Sequence, residues 1–225
     1  PPPRASSSAA SDVYKRQGST VPHIRSGVGA VATQAHTNPY LGICGLERLE
    51  QCADANRVLE TLLLDDQHRD RRQFHLIDHQ GRTACWTGPD CGEWAGHRHG
   101  QDCSVAGNFL VGESVLLAMD VAFQTSDPSW KLGRRLMHAL QAGEAAGGDR
   151  RAVSSTSAAL QISGDAAFPL LDLRVDYNNQ AVGELMAIYE RSQDLWAQQW
   201  RDELSELRTL NRTVQRSYER PRSVS

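Results

Sequence analysis

The stretch RQFHLIDHQGRTACWTG, residues 72–88, constrains the fold more than any other part of the chain. Two β-prone runs, Gln73 to Asp78 and Arg82 to Thr87, flank His79-Gln80-Gly81. A short polar segment ending in Gly between two such runs predicts a hairpin turn. The chain is thereby committed to antiparallel pairing at this point.

The flanking sequence supplies the rest of a layered fold. Gly27 to Ala35 mixes Gly, Val and Ala without charge and predicts a buried strand. Thr37-Asn38-Pro39 predicts a helix entry, followed by the apolar pair Leu46 and Leu49. A second helix is expected from Asp54, with Val58, Leu59, Leu62 and Leu63 as its buried stripe. After the hairpin, a Gly-, Cys- and His-rich loop to Gln101 precedes a strand from Ser104 to Leu110. Val115, Met119 and Phe123 mark one further helix. Leu132, Leu136 and Leu140 mark another, with Gly147-Gly148 beyond its end. Ser157 to Ile162 and Leu170 to Val175 predict two more strands. From Ala181 to Arg216 the period is helical and the charge dense. Strands, then helices, then strands fit a sheet layer covered by helices rather than an alternating parallel fold.

The 225 residues suit one domain, or one domain with an appendage. Lys and Arg number 24 against 27 Asp and Glu, for a net charge of -3. That balance gives no electrostatic reason to bind nucleic acid or an anionic membrane. No apolar run approaches the roughly 20 residues that span a bilayer. Five cysteines, an odd number in a chain of this size, point to free thiols and a cytoplasmic setting. Residues 1–17, PPPRASSSAASDVYKRQ, have no initiator Met, no strand or helix period and no signal-peptide pattern. They look like translated adapter read-through. A non-native or disordered leader is expected there, with native sequence beginning near Gly18.

Cys85, Cys91, His97, His99 and Cys103 invite a zinc reading, because zinc takes about four thiolate or imidazole ligands. Their spacings are long and irregular, and no C-x2-C pair preorganises two sulfurs. No metal site is expected. Trp94 to His97 reads as a polar loop pinned by an aromatic ring. Ser154, Ser155 and Ser157 belong to no nucleophile elbow. Neither a Walker loop nor a dinucleotide fingerprint occurs.

Seven strings in order, VPHIRSGVGAVATQAHTNPYLG, RQFHLIDHQGRTACWTG, WAGHRHG, GNFLVG, AGGDRR, SAALQI and DLRVD, resemble an uncharacterised family. It is catalogued as domain of unknown function 1028 and is similar in fold to the Ntn hydrolases. The resemblance runs from about Gly18 to Leu185. It implies an α+β fold, a four-layer αββα sandwich of the Ntn-hydrolase type, here missing its first strand or strands. In such enzymes a Thr, Ser or Cys at the mature N-terminus attacks an amide carbonyl, with its own α-amino group as base. Pro1 has a secondary amine and no side-chain nucleophile. The resemblance further implies that Gln34, Asn38, Asn108 and Asp149 bind or support a substrate. Gln34 and Asn38 would offer amides to an oxyanion, and Asp149 would hold an amine. Asn38 reads equally as a helix cap. Two strings depart from the family pattern: Ala152 to Thr156 after Asp149-Arg150-Arg151, and Asp176-Tyr177-Asn178 after Arg174-Val175.

The expected organisation is a leader over 1–17, an Ntn-hydrolase-like domain over 18–180, an amphipathic helix over 181–216 and a disordered tail over 217–225. The expected function is hydrolysis of a small amide or peptide-like bond without metal or organic cofactor, inactive in this fragment for want of the nucleophile. The alternative is a non-catalytic small-molecule-binding domain. A helix of about 36 residues would extend about 54 Å. That overhangs a domain roughly 34 Å across, so a homodimer through Leu204, Leu207 and Leu210 is expected.

Overall fold

The computed structural model describes residues 4–8, 19–52, 54–151, 156–166 and 168–206. Its strands are β1 (Arg4–Ser8), β2 (Pro22–Arg25), β3 (Gly29–Ala35), β4 (Arg72–Asp78), β5 (Thr83–Thr87), β6 (Gly96–Gly100), β7 (Cys103–Gly107), β8 (Ala158–Ser163) and β9 (Pro169–Val175). Its helices are α1 (Pro39–Cys52), α2 (Ala55–Asp65), α3 (Glu113–Gln124), α4 (Leu132–Ala145), α5 (Ala181–Arg191) and α6 (Leu195–Glu206). The fold is mixed α+β, and every strand pairing among the described residues is antiparallel. The chain divides into two units, Pro1–Tyr189 and Glu190–Ser225.

The sheet β2-β3-β4-β5 carries the predicted hairpin at its edge. Asp78 closes that turn: its carboxylate accepts from the backbone N–H groups of Gln80 and Arg82 and from Arg82 Nε. Gly81 takes the left-handed φ of 81° that a Cβ would resist. Alternation then gives the sheet two different faces. Val31, Phe74, Leu76 and Ala84 meet Leu46 and Leu49 of α1 and Val58, Leu59 and Leu62 of α2. Each of these large side chains stabilises the fold by roughly 2 kcal/mol on burial. Asp54 caps α2, accepting from Arg57 N at 3.2 Å. The opposite face presents Gln34, Gln73, His75, Thr83, Cys85 and Thr87.

Other strands cover that polar face. The β6-β7 hairpin lies over β4 and β5, and the sheet β1-β8-β9 lies against β2 and β3. Helices cover these strands in turn. Val115 and Leu116 of α3 pack on Val105 of β7. Met137 and Leu140 of α4, with Val182 and Leu185 of α5, pack on Leu160 and Ile162 of β8.

Three expectations differ from what is found. The segment from Gly96 to Gly100 is a strand and not part of a loop. Its flanking glycines disfavour a strand, but His97 and His99 are held by Thr87 and Thr83 of β5, so tertiary context overrides propensity. Within the expected leader, Arg4–Ser8 forms β1, which pairs with β8 from Arg4↔Ser163 to Ser8↔Ala159. An open strand edge is a template for whatever extended backbone reaches it.

The third difference concerns the long C-terminal helix. It is interrupted at Ser192-Gln193-Asp194, so the 54 Å rod does not form. Gln193 N and Asp194 N turn back to the carbonyls of Glu190 and Arg191, and Asp194 O receives Ala197 N and Gln198 N. Ser and Asp compete for backbone hydrogen bonds and favour helix starts, which is why the break falls there. The first half also belongs to the first unit, because Ala181, Val182, Leu185 and Tyr189 are buried in its core. Leu204 is on α6, whereas Leu207, Leu210 and the expected tail lie outside the described residues. Among the described residues no helix is long and apolar enough to cross a membrane.

Candidate functional site

Two polar regions lie on the covered face of the central sheet, at opposite ends of its strands. At the first, Gln73 is fully buried. Its amide nitrogen lies 2.9 Å from the carbonyls of Gly96 and Gly107 and 3.0 Å from Thr87 Oγ1. Its carbonyl accepts from Asn108 Nδ2 at 3.2 Å and Gln34 Nε2 at 3.4 Å. Four strands and the loop after β7 are thus tied to one side chain. Next to it, Asp149 forms an isolated bridge with Leu110, and Arg150 N donates to Phe109 O at 2.8 Å. The Asp149 carboxylate accepts from Arg151 N, Nε and Nη2, while the Arg151 guanidinium lies 4.0 Å over the Phe109 ring. Three of the four non-glycine residues with positive φ among those described, Ala35, Trp94 and Phe109, cluster here. Such backbone persists only where its surroundings over-determine it.

Of the four residues expected to line a site, Gln34 and Asn108 therefore meet on Gln73, and Asp149 is brought beside Asn108. Asn38 stands apart at the start of α1. Its Oδ1 accepts from Tyr40 N at 3.1 Å, and its N–H donates to Thr33 Oγ1 at 3.4 Å. That is the geometry of a cap.

The second region opens into a cavity of about 880 Å³. Its walls include His75 and Asp78 of β4, Asp102 and Ser104 of the β6-β7 hairpin, and Trp130 and Arg135 on or near α4. His75 Nδ1 is 2.7 Å from Ser104 Oγ. Burial, with a smaller contribution from nearby His97, lowers the His75 pKa to about 4. His75 is therefore neutral at pH 7, able to hydrogen-bond but a weak general base toward Ser104. Burial also pushes the Cys85 thiol up to about 12 and Cys103 up to about 11. Both thiols are thus protonated at neutral pH, which leaves them poor nucleophiles. Cys91 donates to Arg72 O at 3.0 Å. Among the described residues no group of three or more His, Cys, Asp or Glu is placed to hold a metal ion.

A family model described as a family of unknown function, DUF1028, matches residues 5–185. The chain belongs to DUF1028. The match begins inside the stretch set apart as a leader and ends within α5, so it spans both polar regions. The crystal structure of protein SPO2555 from Silicibacter pomeroyi, which carries the DUF1028 family model, is similar at 27% identity and a TM-score of 0.75. The likeness covers 87% of this chain and 85% of that one. A comparison with curated proteins finds no match.

Sequence reasoning passed over Gln73, His75, Ser104 and Arg135. The first two sit in the hairpin string, and their alternation on one face was a usable signal. Ser104 and Arg135 acquire significance only through partners distant in sequence.

Proposed function

We propose that this DUF1028 domain is a four-layer αββα sandwich of the Ntn-hydrolase type that handles a small amide or peptide-like substrate in the cavity beside His75. One observation carries the reading. β1 starts opposite Ser163, and Ser26 in the β2-β3 turn donates to Gly164 O at 2.5 Å. The same turn leads to Gly29, which pairs with Asp78 on the cavity wall. The start of the first strand and the cavity thus share one end of the molecule, as a nucleophile at that strand's head requires. The stacking of strand layers between helices supports the same assignment. Gln34, Asn38, Asn108 and Asp149 act in this proposal as supports for the fold around the site.

Hydrolysis would proceed by attack of an N-terminal Thr, Ser or Cys on the amide carbonyl, with the α-amino group taking the proton and no metal or organic cofactor. The residue at the head of β1 is Arg4, which carries no nucleophile, so turnover by this mechanism is not expected from β1 as it reads here. A small panel of primary amides and dipeptides, assayed with this chain and with a version bearing a Thr-led first strand, tests the mechanism. Turnover by the second alone is expected, and equal turnover by both removes it. The rival reading, a non-catalytic binding domain, is favoured by the protonated Cys103 thiol and the weakly basic His75 on the cavity wall. Binding without turnover in both versions would establish that reading.

The proposed partner of α6 is a second copy of the chain. Leu195, Trp196 and Trp200 are all more than half exposed, and a symmetric dimer is the common way to cover such a stripe. Light scattering is expected to give a dimer for the full chain and a monomer after truncation at Arg191. A monomer in both ends the idea.

A further inference from the structure

We infer that the cavity beside His75 takes a small monocarboxylate with an apolar body, its carboxylate on the open edge of Arg135. This rests on reading that cavity as the ligand site and adds the substrate's chemical class. Arg135 is held in place by three contacts. Nε donates to Ser126 Oγ at 2.8 Å, Nη2 donates to Phe123 O at 3.3 Å, and the guanidinium carbon lies 4.4 Å from the centre of the Phe123 ring. These contacts cap the C-terminus of α3 and account for Nε and Nη2.

Nη1 is left over. Among the described residues it has no hydrogen-bond partner, and no carboxylate lies within pairing distance of Arg135. A partly buried cation without a counter-ion is costly, and a preorganised guanidinium edge matches a carboxylate. The cavity volume of about 880 Å³ is within the range of small-molecule sites.

The rest of the lining selects among anions. Phe123, Trp130, Leu132 and Leu136 offer apolar surface next to Arg135. Asp102 also lines the cavity; its Oδ1 accepts from Gln101 Nε2 at 3.3 Å, and no cation pairs with it among the described residues, whereas the fully buried Asp78 carboxylate is committed to Arg82 and its own turn. A second negative charge on the ligand would meet the Asp102 carboxylate. This disfavours phosphate and favours a monoanion with an apolar remainder.

Isothermal titration of the full chain with phenylacetate, phenylacetamide and inorganic phosphate tests the inference. Phenylacetate is expected to bind at least about tenfold tighter than its neutral amide, since only the carboxylate makes a charge-assisted bond. Arg135→Lys should weaken phenylacetate about tenfold by removing the planar fork, leaving phenylacetamide little changed. Arg135→Gln should abolish the preference, with folding checked by urea unfolding. The ratio of the two ligands on the unmodified chain decides the matter even if that variant does not fold. Equal binding of acid and amide would overturn the carboxylate assignment while leaving the cavity reading intact. Binding of neither overturns both. Displacement of phenylacetate by phosphate at equal concentration would show a general anion site and also overturn the inference.

Discussion

Gln73 and His75 lie two residues apart on the same face of β4, and their surroundings differ. Around Gln73 the polar groups meet protein partners: two amides converge on its oxygen, two carbonyls and a hydroxyl surround its nitrogen, and Asp149 is occupied by Arg151. From His75 toward Asp78 the covering strands leave a cavity, with Arg135 and Asp102 on its walls. The first region is dense in strained backbone and internally satisfied. The second is open and retains hydrogen-bonding capacity. Satisfied polar networks fix a unique packing, whereas ligand sites need groups whose partners arrive from outside. The residues most conspicuous in the sequence thus hold the fold, and less conspicuous ones face the space where a ligand fits.

The largest effect is expected from Gln73→Leu. It removes the common partner of Gln34 and Asn108 and leaves the Gly96 and Gly107 carbonyls without their buried donor. A loss of about 3 kcal/mol is expected from urea unfolding, since each stranded buried group costs about 1–3 kcal/mol. A loss below about 0.5 kcal/mol, within the usual range for a neutral surface change, would break the contrast between the two ends.

Next comes pH. The folded pKa of His75, about 4, lies below the ordinary imidazole value of 6.5. Between those values the unfolded chain binds the extra proton, so stability is full above pH 6.5 and falls as pH drops toward 4. The full shift corresponds to roughly 3 kcal/mol, and solvent in the cavity reduces the expected loss to about 2 kcal/mol. His97 is also lowered by burial and acts in the same direction. Urea midpoints at pH 7 and pH 4.5, for the unmodified chain and for His75→Asn, should show a shallower pH dependence in the variant. Identical slopes would mean that His75 is not held neutral.

The smallest effect sharpens the comparison at its margin. Asn38→Ala should cost about 1 kcal/mol through loss of the α1 cap and leave phenylacetate binding unchanged. If binding falls while stability holds, Asn38 belongs to a ligand site and the division between the two regions must be redrawn.

Sequence alone determined what depends on neighbours along the chain. The β4-β5 hairpin follows from two β-prone runs around a Gly-ended turn. α2 follows from Asp54 as a cap and an apolar stripe at threes and fours. The ordered strings carried the family and singled out Gln34 and Asn108. Tertiary structure decided what depends on neighbours distant in sequence. β6 exists because Thr83 and Thr87 hold its histidines against weak local propensity. Gln34 and Asn108 are donors to Gln73 because three segments converge on one buried amide. Arg135 lines the cavity with its guanidinium held because the end of α3, twelve residues earlier in the chain at Phe123, accepts from its Nη2. Local periodicity records which face of an element is buried. It does not record what covers that face, and both the packing partner and the cavity are set there.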